Sequence, residues 1–345
     1  MPVTSVTKDP ENLTLTVVAD FAAPLQRVWD AYTDPRQLEK FWGPPEWPAT
    51  FTRHDVFPGG KTHYFMTGPD GSAHGGYWDW IDVKQPEGAS ASFEVRDGFS
   101  TDLDGTPNTD MPTGRMVFHF EATDTGSRVT VTSFHNSADE FAQVIEMGQE
   151  EGMREAMGQI DDVLADLSSF AHGVGTKTDI LSDTQIRVSR IIRGSVEDVW
   201  RAHHEPALLQ QWMLGPDGWT MPVCEVSTEV GGKYRYEWAS DDGENRFGFE
   251  GEVLEMEAPL GAPPGATLGA RTGGRSVTTE RFVGPEGFHS PETTINELTL
   301  TPQESGTLLS VVITYPNAEV RDTVLATGMT DGMEASYARL ESVLV

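Results

Sequence analysis

Three histidines at strand-like positions are the residues of this chain whose type and spacing best suit proton-transfer chemistry. His54, His119 and His135 lie in segments where apolar and polar residues alternate. An imidazole titrates near neutral pH, so each is a candidate general acid or base inside an apolar cavity. A hydrogen-bonded structural histidine or a surface histidine fits the same pattern. The sequence shows no convincing acid and base pair, so the catalytic residues stay undecided.

Metal and cofactor chemistry is disfavoured by the spacing of other reactive residues. His203, His204 and Glu205 are adjacent, which prevents them from converging from one helix face, and no H-E-x-x-H motif is present. The segment PGGKT at 58–62 has Asp55 where a phosphate-binding loop requires glycine, so it predicts a hairpin turn. The sequence therefore predicts no metal site and no cofactor.

Large aromatic and methionine side chains supply a different candidate site, one for an apolar molecule. Tryptophans beside Gly-Pro turns present rigid aromatic surfaces on loops, and methionine adapts to irregular apolar shapes. Core packing is the competing interpretation, and a one-residue error in strand phase would turn any strand residue outward. The candidate ligand-binding residues are Trp42, Trp47, Tyr64, Trp78, Trp80, His119, Met153, Trp212, Trp219, Tyr236, Trp238, Phe249, Met329 and Met333.

Two pairs of glycines in predicted helices bear on the same question. Gly148 and Gly152, like Gly328 and Gly332, lie four residues apart and are expected on one helix face. Each glycine inside a helix costs about 1 kcal/mol relative to alanine, so something on that face requires space. The space serves either close packing of the helix on a sheet or a ligand beside the neighbouring methionine.

A long internal repeat organises the elements that must position these residues. The stretch VWDAYTDPRQLEKFWGPPEW, residues 28–47, returns as VWRAHHEPALLQQWMLGPDGW, residues 199–219. The length of 345 residues is about twice that of a usual domain, so the repeat indicates a duplication. We predict a first domain at 1–168, a Gly-, Ser- and Thr-rich linker at 169–183, and a second domain at 184–345.

Each copy has the same predicted order of elements. An apolar strand is followed by two short helices, and then by segments whose period of two indicates an antiparallel sheet with one buried face. A long helix with an apolar stripe ends each copy. The predicted fold class is α+β, with two tandem domains in which an antiparallel sheet is covered by a long C-terminal helix.

Composition narrows the range of partners. Asp and Glu number 54 against 24 Lys and Arg, a formal charge of -30, which disfavours nucleic acid and anionic lipid surfaces as partners.

No apolar run of the sequence approaches the roughly 20 residues of a membrane span. The first residues lack the pattern of a secretion signal, so a cytoplasmic protein is expected. Cys224 is the only cysteine, which excludes an intramolecular disulfide.

The motifs of the repeat resemble those of a known superfamily. In the first copy they are Ala23-Pro24, Val28-Trp29, Asp34-Pro35, Phe41-Trp42-Gly43-Pro44, Trp47 and Pro58-Gly59-Gly60, and the second copy keeps Val199-Trp200, Glu205-Pro206, Trp212, Gly215-Pro216, Trp219 and Gly231-Gly232. The combination resembles the SRPBCC superfamily of START/Bet v 1-like helix-grip domains, and within it the branch of the activator of Hsp90 ATPase homologue. The resemblance implies a curved antiparallel sheet around a long C-terminal helix, with an apolar cavity that binds lipids, polyketides or other hydrophobic molecules.

Three hypotheses about function follow. The first is binding of a small hydrophobic molecule, such as a lipid, a polyketide or an aromatic compound, in the cavity of each domain. The second is a cavity enzyme of the cyclase, aromatase or hydrolase type that uses a histidine or a carboxylate for acid and base chemistry. The third, suggested by the resemblance, is a protein-interaction module linked to a chaperone. A monomer is favoured, because the duplication can replace the dimer of a single-domain relative.

Overall fold

The computed structural model of the protein describes residues 2–165, 175–214, 218–259, 273–285, 288–303 and 305–344. They form two compact units, the first comprising 2–165 and the second the described ranges from 175 to 344. Each unit has one 8-stranded antiparallel sheet with helices, so the predicted α+β class with tandem sheet-and-helix domains is confirmed. None of the described helices combines the length and the apolarity that crossing a bilayer requires.

The sheet of the first unit carries its buried residues in alternation. In strand β2, Leu15, Val17, Ala19 and Phe21 are buried and the residues between them are not, as expected for a sheet with one covered face. The strands are β1 (Val3–Asp9), β2 (Thr14–Phe21), β3 (Ala49–His54), β4 (Lys61–Thr67), β5 (Ala73–Glu87), β6 (Ser90–Ser100), β7 (Thr113–Thr123) and β8 (Gly126–His135). Their order across the sheet is β1-β2-β8-β7-β6-β5-β4-β3.

In the first unit, two helices lie between β2 and β3, and three further helices follow β8. They are α1 (Leu25–Thr33), α2 (Pro35–Leu38), α3 (Ala138–Glu146), α4 (Gln149–Gly158) and α5 (Ile160–Ala165). Asp34 separates α1 from α2, because its side chain accepts a hydrogen bond from the Arg36 backbone N–H at 3.0 Å. Pro35 takes the first position of α2, where no backbone donor is needed.

The core of the first unit lies between the inner face of the sheet and the helices. Trp29 of α1 is fully buried, and its ring centroid is 5.9 Å from that of Phe93 and 5.3 Å from that of Phe120. Both contacts are edge-on, a favourable arrangement for aromatic rings. This aromatic core anchors α1 over the middle of the sheet.

The second unit repeats this topology. Its strands are β9 (Lys177–Ile180), β10 (Gln185–Ile192), β11 (Trp219–Glu225), β12 (Lys233–Ser240), β13 (Arg246–Glu257), β14 (Gly274–Val283), β15 (Thr294–Gln303) and β16 (Gly306–Thr314), and its helices are α6 (Val196–His204), α7 (Pro206–Trp212), α8 (Ala318–Ala326) and α9 (Met329–Val343). The strand order, β9-β10-β16-β15-β14-β13-β12-β11, matches that of the first sheet.

The first strand of each unit was not predicted. In the first unit it is β1, and in the second it is β9, which pairs with β10. Because β9 lies at Lys177–Ile180, the prediction of a linker over 169–183 is wrong for these residues. Residues 169–174 lie outside the described residues, and the domain boundaries stay a prediction.

The C-terminal helix of each unit differs from the prediction in being interrupted. Gly148 separates α3 from α4 with φ 89°, and Gly328 separates α8 from α9 with φ 78°. A residue with a side chain is strained in this left-handed conformation, so glycine is favoured at both breaks. Gly148 is therefore not inside a helix, and the prediction that it shares a continuous helix face with Gly152 is wrong.

Candidate ligand-binding site

A row of inward-facing residues crosses three neighbouring strands of the first sheet. Asp97 on β6 is opposite Gly114 on β7, and Gly114 is opposite His135 on β8. Because side chains alternate in direction along a strand, Asp97 continues the inward series of Phe93 and Val95. Gly114 has no side chain, so the row is open between the carboxylate and the imidazole.

This opening is part of a cavity of about 330 Å³ in the first unit. One wall is the inner face of the sheet, and the other is formed by residues of α3 and α4 and the turn between them. Met147 of that turn lines the cavity and is 50% exposed, which places an open edge there. The lining is mostly aromatic and aliphatic, and it includes Tyr32, Phe41, Trp42, Tyr64, Phe99, Met116, Phe118, Val131, Met153 and Met157.

Two glycines leave the helical wall of the cavity without side chains. A Cβ atom at Gly152 would meet no atom within 4 Å, and the same is true at Gly148. Both glycines line the cavity. Their missing side chains therefore leave open volume and do not serve close packing of the helix on the sheet. The interpretation as close packing is not supported for this pair, and a role in ligand binding stays a prediction.

Trp42 and Tyr64 form an aromatic wall of the cavity. The Trp42 ring packs edge-on against Trp78, with centroids 4.7 Å apart, and its centroid lies 6.2 Å from that of Tyr64. The loop that carries Trp42 is held by the Gln159 amide, which donates a hydrogen bond to the Gly43 carbonyl oxygen at 2.8 Å. Glycine is required at that position, because a Cβ at Gly43 would lie 1.8 Å from a backbone oxygen of the same loop.

Asp97 is the carboxylate of the cavity. Its Oδ1 atom accepts a hydrogen bond from the Trp78 indole N–H at 2.9 Å. Burial raises the pKa of Asp97 to about 6, although the Trp78 N–H opposes part of this effect. Arg115 also lines the cavity, but its guanidinium lies 3.9 Å from the Phe134 ring centroid and 3.2 Å from the Glu94 carboxylate. The Arg115 charge is thus engaged by outward-facing neighbours and does not offset Asp97.

His135 and Gln149 lie on the other side of the opening over Gly114. The His135 Nδ1 atom is 3.9 Å from the position that a Gly114 Cβ would occupy. Both ring nitrogens and the Gln149 Oε1 atom are buried and have no hydrogen-bond partner of suitable geometry. Burial lowers the pKa of His135, against smaller opposite effects of Glu140 and Gln149, so the imidazole is neutral at pH 7. Such atoms are rare in folded proteins and are suited to bind a polar group.

Of the three histidines predicted as acid or base candidates, His135 alone lines this cavity. His54 is buried, with Nδ1 at 3.0 Å from the Thr62 hydroxyl and Nε2 at 3.1 Å from the Tyr32 carbonyl oxygen. Both of its nitrogens are thus engaged within the fold. The candidate role of His54 as an acid or base in the cavity is not supported, because the imidazole is a hydrogen-bonded core residue.

His119 is the clearest error among the predicted site residues. Its side chain is 45% exposed, and Nε2 lies 3.6 Å from the Glu121 carboxylate. The alternation of β7 turns Phe118 and Phe120 inward and His119 outward. The prediction that His119 is an acid, a base or a ligand-binding residue in the cavity is therefore wrong.

Three predicted tryptophans of the first unit lie outside the cavity lining, whereas Trp42, Tyr64 and Met153 belong to it. Trp78 and Trp80 are buried behind the wall, and the Trp80 indole donates a hydrogen bond to the Thr62 hydroxyl at 2.8 Å. Trp47 lies over Gly68, where its ring would be 2.6 Å from a Cβ. Trp78 packs behind Trp42 and Tyr64, and Trp80 packs against Trp78, whereas the ring contact of Trp47 is with His74.

The candidate tryptophans of the second unit are engaged by backbone groups and other rings. Trp212 donates a hydrogen bond to the Ala202 carbonyl oxygen at 2.9 Å, and its ring stacks on Tyr337. Trp238 donates to the Met213 carbonyl oxygen at 2.7 Å. These two side chains are buried. Their contribution to ligand binding stays a prediction.

The other candidates of the second unit are only partly buried. Ring contacts join Trp219 to Phe247 at 5.2 Å, Tyr236 to Trp238 at 6.1 Å, and Phe249 to Phe282 at 5.7 Å. Met329 and Met333 pack against a cluster of buried residues that comprises Ile186, Val188, Ile313 and Tyr315. A ligand role for these five candidates likewise stays a prediction.

Sequence reasoning missed Asp97 and Gln149 as residues of the cavity lining. Asp97 had a usable signal, because it falls in the inward phase of ASFEVRD, where Ala91, Phe93 and Val95 are apolar. A charged residue in the buried phase of a strand is unusual and marks a candidate site. Gln149 had no such signal, since only the break of the helix at Gly148 directs it to the cavity.

A sheet covered by C-terminal helices, with an internal cavity in the first unit, defines the protein as a tandem α+β helix-grip protein. The family model described as "Activator of Hsp90 ATPase homolog 1-like protein" matches residues 22–165 and 193–260. This match covers more than half of the chain and reaches into both units, and the chain belongs to this family. The recognition made from the repeated motifs is thereby confirmed.

Several solved structures are similar to this chain. A Mycobacterium smegmatis protein is 49% identical, with 47% of this chain and 97% of that chain covered, at a TM-score of 0.43. For an Arthrobacter aurescens protein the identity is 42%, the coverages are 48% and 92%, and the TM-score is 0.43. For a Rhodobacter sphaeroides protein the identity is 29%, the coverages are 49% and 97%, and the TM-score is 0.40. No curated protein matches the chain.

Proposed function

We propose that the first unit binds a small, largely apolar molecule between its sheet and helices α3 and α4. The observation that carries this proposal is the cavity of about 330 Å³, with its aromatic and aliphatic lining and with Gly152 in its helical wall. Buried apolar surface contributes about 25 cal/mol per Å² to binding, and the loss of ligand freedom offsets part of this gain. Membership of a family of cavity-type domains supports the proposal.

The test fills the cavity from its helical wall. The full chain is titrated with N-phenylnaphthylamine, a neutral apolar dye whose fluorescence rises on transfer from water to an apolar site. Gly152→Leu adds four carbon atoms to the cavity wall, beginning with a Cβ that meets no atom within 4 Å, and we expect at least a tenfold loss of dye affinity. Leucine favours a helix over glycine by up to about 1 kcal/mol, so the variant should unfold at the same temperature as the parent or higher.

Gly158→Leu is the matched control. Gly158 lies in the same helix, and a Cβ there also meets no atom within 4 Å, but the residue does not line the cavity. We expect this variant to keep the dye affinity of the parent. Equal binding by the parent and both variants, or no dye binding by the parent, would refute the proposal. Native mass spectrometry of the same three proteins would identify a co-purified ligand as an adduct lost only in Gly152→Leu.

A catalytic use of the cavity is the second candidate function. The observation that favours it is the pair of perturbed groups across Gly114, since burial raises the pKa of Asp97 to about 6 and lowers that of His135. Titratable groups with perturbed pKa values are common at catalytic sites, and the pKa of Asp97 is displaced toward neutral pH. After incubation with a mixture of apolar esters and polyketides, a mass change abolished in His135→Gln, with dye binding retained, would support catalysis. Recovery of every compound unchanged would count against it.

The chaperone-linked role stays a prediction. A pull-down with the full chain from a cytoplasmic extract would test it. A stoichiometric chaperone ATPase in the bound fraction is the expected result under that hypothesis, and its repeated absence would contradict the hypothesis.

A further inference from the structure

We propose that the ligand of the first unit carries a cationic amine and that Asp97 pairs with this amine inside the cavity. The inference rests on the proposed function and deepens it by naming the chemical class of the ligand. Three observations support the amine ligand. They are the polar atoms around Gly114, the positions of the Asp97 and Arg115 charges, and a comparison with Glu280 of the second unit.

The polar atoms that surround the opening over Gly114 include the Asp97 carboxylate and other acceptors. Asp97 supplies two carboxylate oxygens, of which Oδ1 is bonded to the Trp78 indole N–H. The Gln149 amide adjoins the His135 ring, and these two side chains bring both acceptors and N–H donors to the opening. An ammonium group has three donors and no acceptor. It can therefore donate to the Asp97 carboxylate and to the neighbouring acceptors.

Among the described residues, none of the ion pairs includes Asp97. Arg115, which also lines the cavity, is paired with Glu94 and stacked on Phe134. A buried carboxylate without a cation is costly, and a cation that enters with the ligand removes that cost. The rings of Trp42 and Tyr64 line the same space, and aromatic faces attract an ammonium group. A carboxylate combined with aromatic walls favours an organic amine over a neutral alcohol or an acid.

The second unit has a carboxylate at the same place, with different neighbours. Glu280 on β14 holds the position that Asp97 holds on β6, judged from the strand order and from the residue opposite each on the next strand. Asn296 and Tyr234 adjoin the Glu280 carboxyl group and oppose the rise of its pKa that burial causes, and the Tyr234 hydroxyl donates a hydrogen bond to the Thr279 carbonyl oxygen at 2.8 Å. The duplicated fold thus keeps the acid in both units, while in the first unit the acid faces a cavity that can admit a ligand.

The decisive experiment compares three probes that share one aromatic body. Naphthylethylamine, naphthylethanol and naphthylacetic acid are titrated into the full chain by calorimetry at pH 7.5. We expect the amine to bind at least tenfold more tightly than the alcohol, and the acid to bind most weakly. An alcohol or an acid that binds as tightly as the amine would overturn the inference.

Two variants assign the preference to one residue. Asp97→Asn keeps the size of the side chain and an acceptor for the Trp78 N–H, so it should reduce the amine-to-alcohol ratio to about one without loss of alcohol binding. Glu280→Gln is the matched control in the second unit, and it should leave the ratio unchanged. Retention of the preference in Asp97→Asn, or its loss in Glu280→Gln, would show that Asp97 does not pair with the amine.

The pH dependence provides a second readout. The titratable groups that face or flank Asp97 are Tyr64 on β4, Tyr77 on β5, Arg115 on β7 and His135 on β8. Burial raises the pKa of both tyrosines and lowers that of the histidine. A carboxyl group with a pKa of about 6 is about one-tenth ionised at pH 5, so amine affinity should fall about tenfold between pH 7.5 and pH 5. Alcohol affinity should not change.

The outcomes separate this inference from the proposed function. If N-phenylnaphthylamine binds in a manner sensitive to Gly152→Leu but the amine shows no preference, only the amine inference fails. If neither the dye nor any naphthyl probe binds, the proposed function fails first, and the amine inference falls with it.

Discussion

Asp97→Asn should stabilise the first unit at neutral pH, although it removes a hydrogen-bonded charge. In the folded protein, burial raises the pKa of Asp97 from an ordinary 3.8 to about 6. The folded state therefore holds the Asp97 proton more tightly than the unfolded state does. The free energy of unfolding must fall as pH rises between these two values, because ionisation of Asp97 favours the unfolded chain.

The magnitude follows from the two pKa values. At about 1.36 kcal/mol per pH unit, a rise from 3.8 to about 6 corresponds to about 3 kcal/mol. The cavity is open at Met147, so water screens part of this cost. Asparagine also gives up the charge-assisted part of the hydrogen bond from Trp78. We expect a gain of about 1–2 kcal/mol for Asp97→Asn at pH 7.5, and no gain below pH 4.

Hydrogen exchange in urea, read by mass spectrometry on peptides of β6 and β7, would measure this gain. It is preferred to a single melting curve because the two units need not unfold together. Peptides of β14 in the second unit serve as the internal reference and should not change. The reasoning would be refuted if Asp97→Asn destabilised β6, or if its effect were the same at pH 4 and pH 7.5.

The remaining predictions concern stability away from the carboxylate. Glu334→Gln removes an ion-pair partner from Arg190, which is 7% exposed, and should lower the free energy of unfolding of the second unit by about 1–3 kcal/mol in the same exchange assay. Gly148→Ala should cost about 1–2 kcal/mol, since its φ of 89° strains a side chain; an unchanged melting temperature would contradict this. His54→Ala should cost about 2–4 kcal/mol in urea denaturation because it loses two buried hydrogen bonds and core volume. His119→Ala on the exposed face should change stability by less than about 0.5 kcal/mol, and an equal effect of the two histidine variants would show that their environments have been misassigned.

Much of the fold could be predicted because local signals and the repeat agree. The alternation of apolar residues in β2 and the Asp34-Pro35 turn between α1 and α2 are each contained within about ten residues. The repeated stretch then shows that the same elements recur. The two edge strands were missed because β1 and β9 carry little apolar alternation, and their pairing partners stabilise them.

The candidate site was only partly predictable, for a reason that involves register. Trp42, Tyr64 and Met153 were predicted from residue type, and the cavity includes all three. His119 was wrong because one position along β7 separates the inward from the outward face. Asp97 was missed although the inward phase of β6 marks it, and the cavity that it faces appears only in the tertiary structure.

By itself, the sequence determined that this protein is a duplicated α+β chain, because hydrophobic period, helix caps and turn residues act over short distances and occur twice. The tertiary structure alone decided which side chains share the cavity. Asp97, Gly114 and His135 lie on three different strands and meet only through the pairing of those strands. The left-handed break at Gly148 then leaves the space above them open. Contacts between distant segments depend on register and on backbone conformation, and a linear pattern of residue types does not contain either.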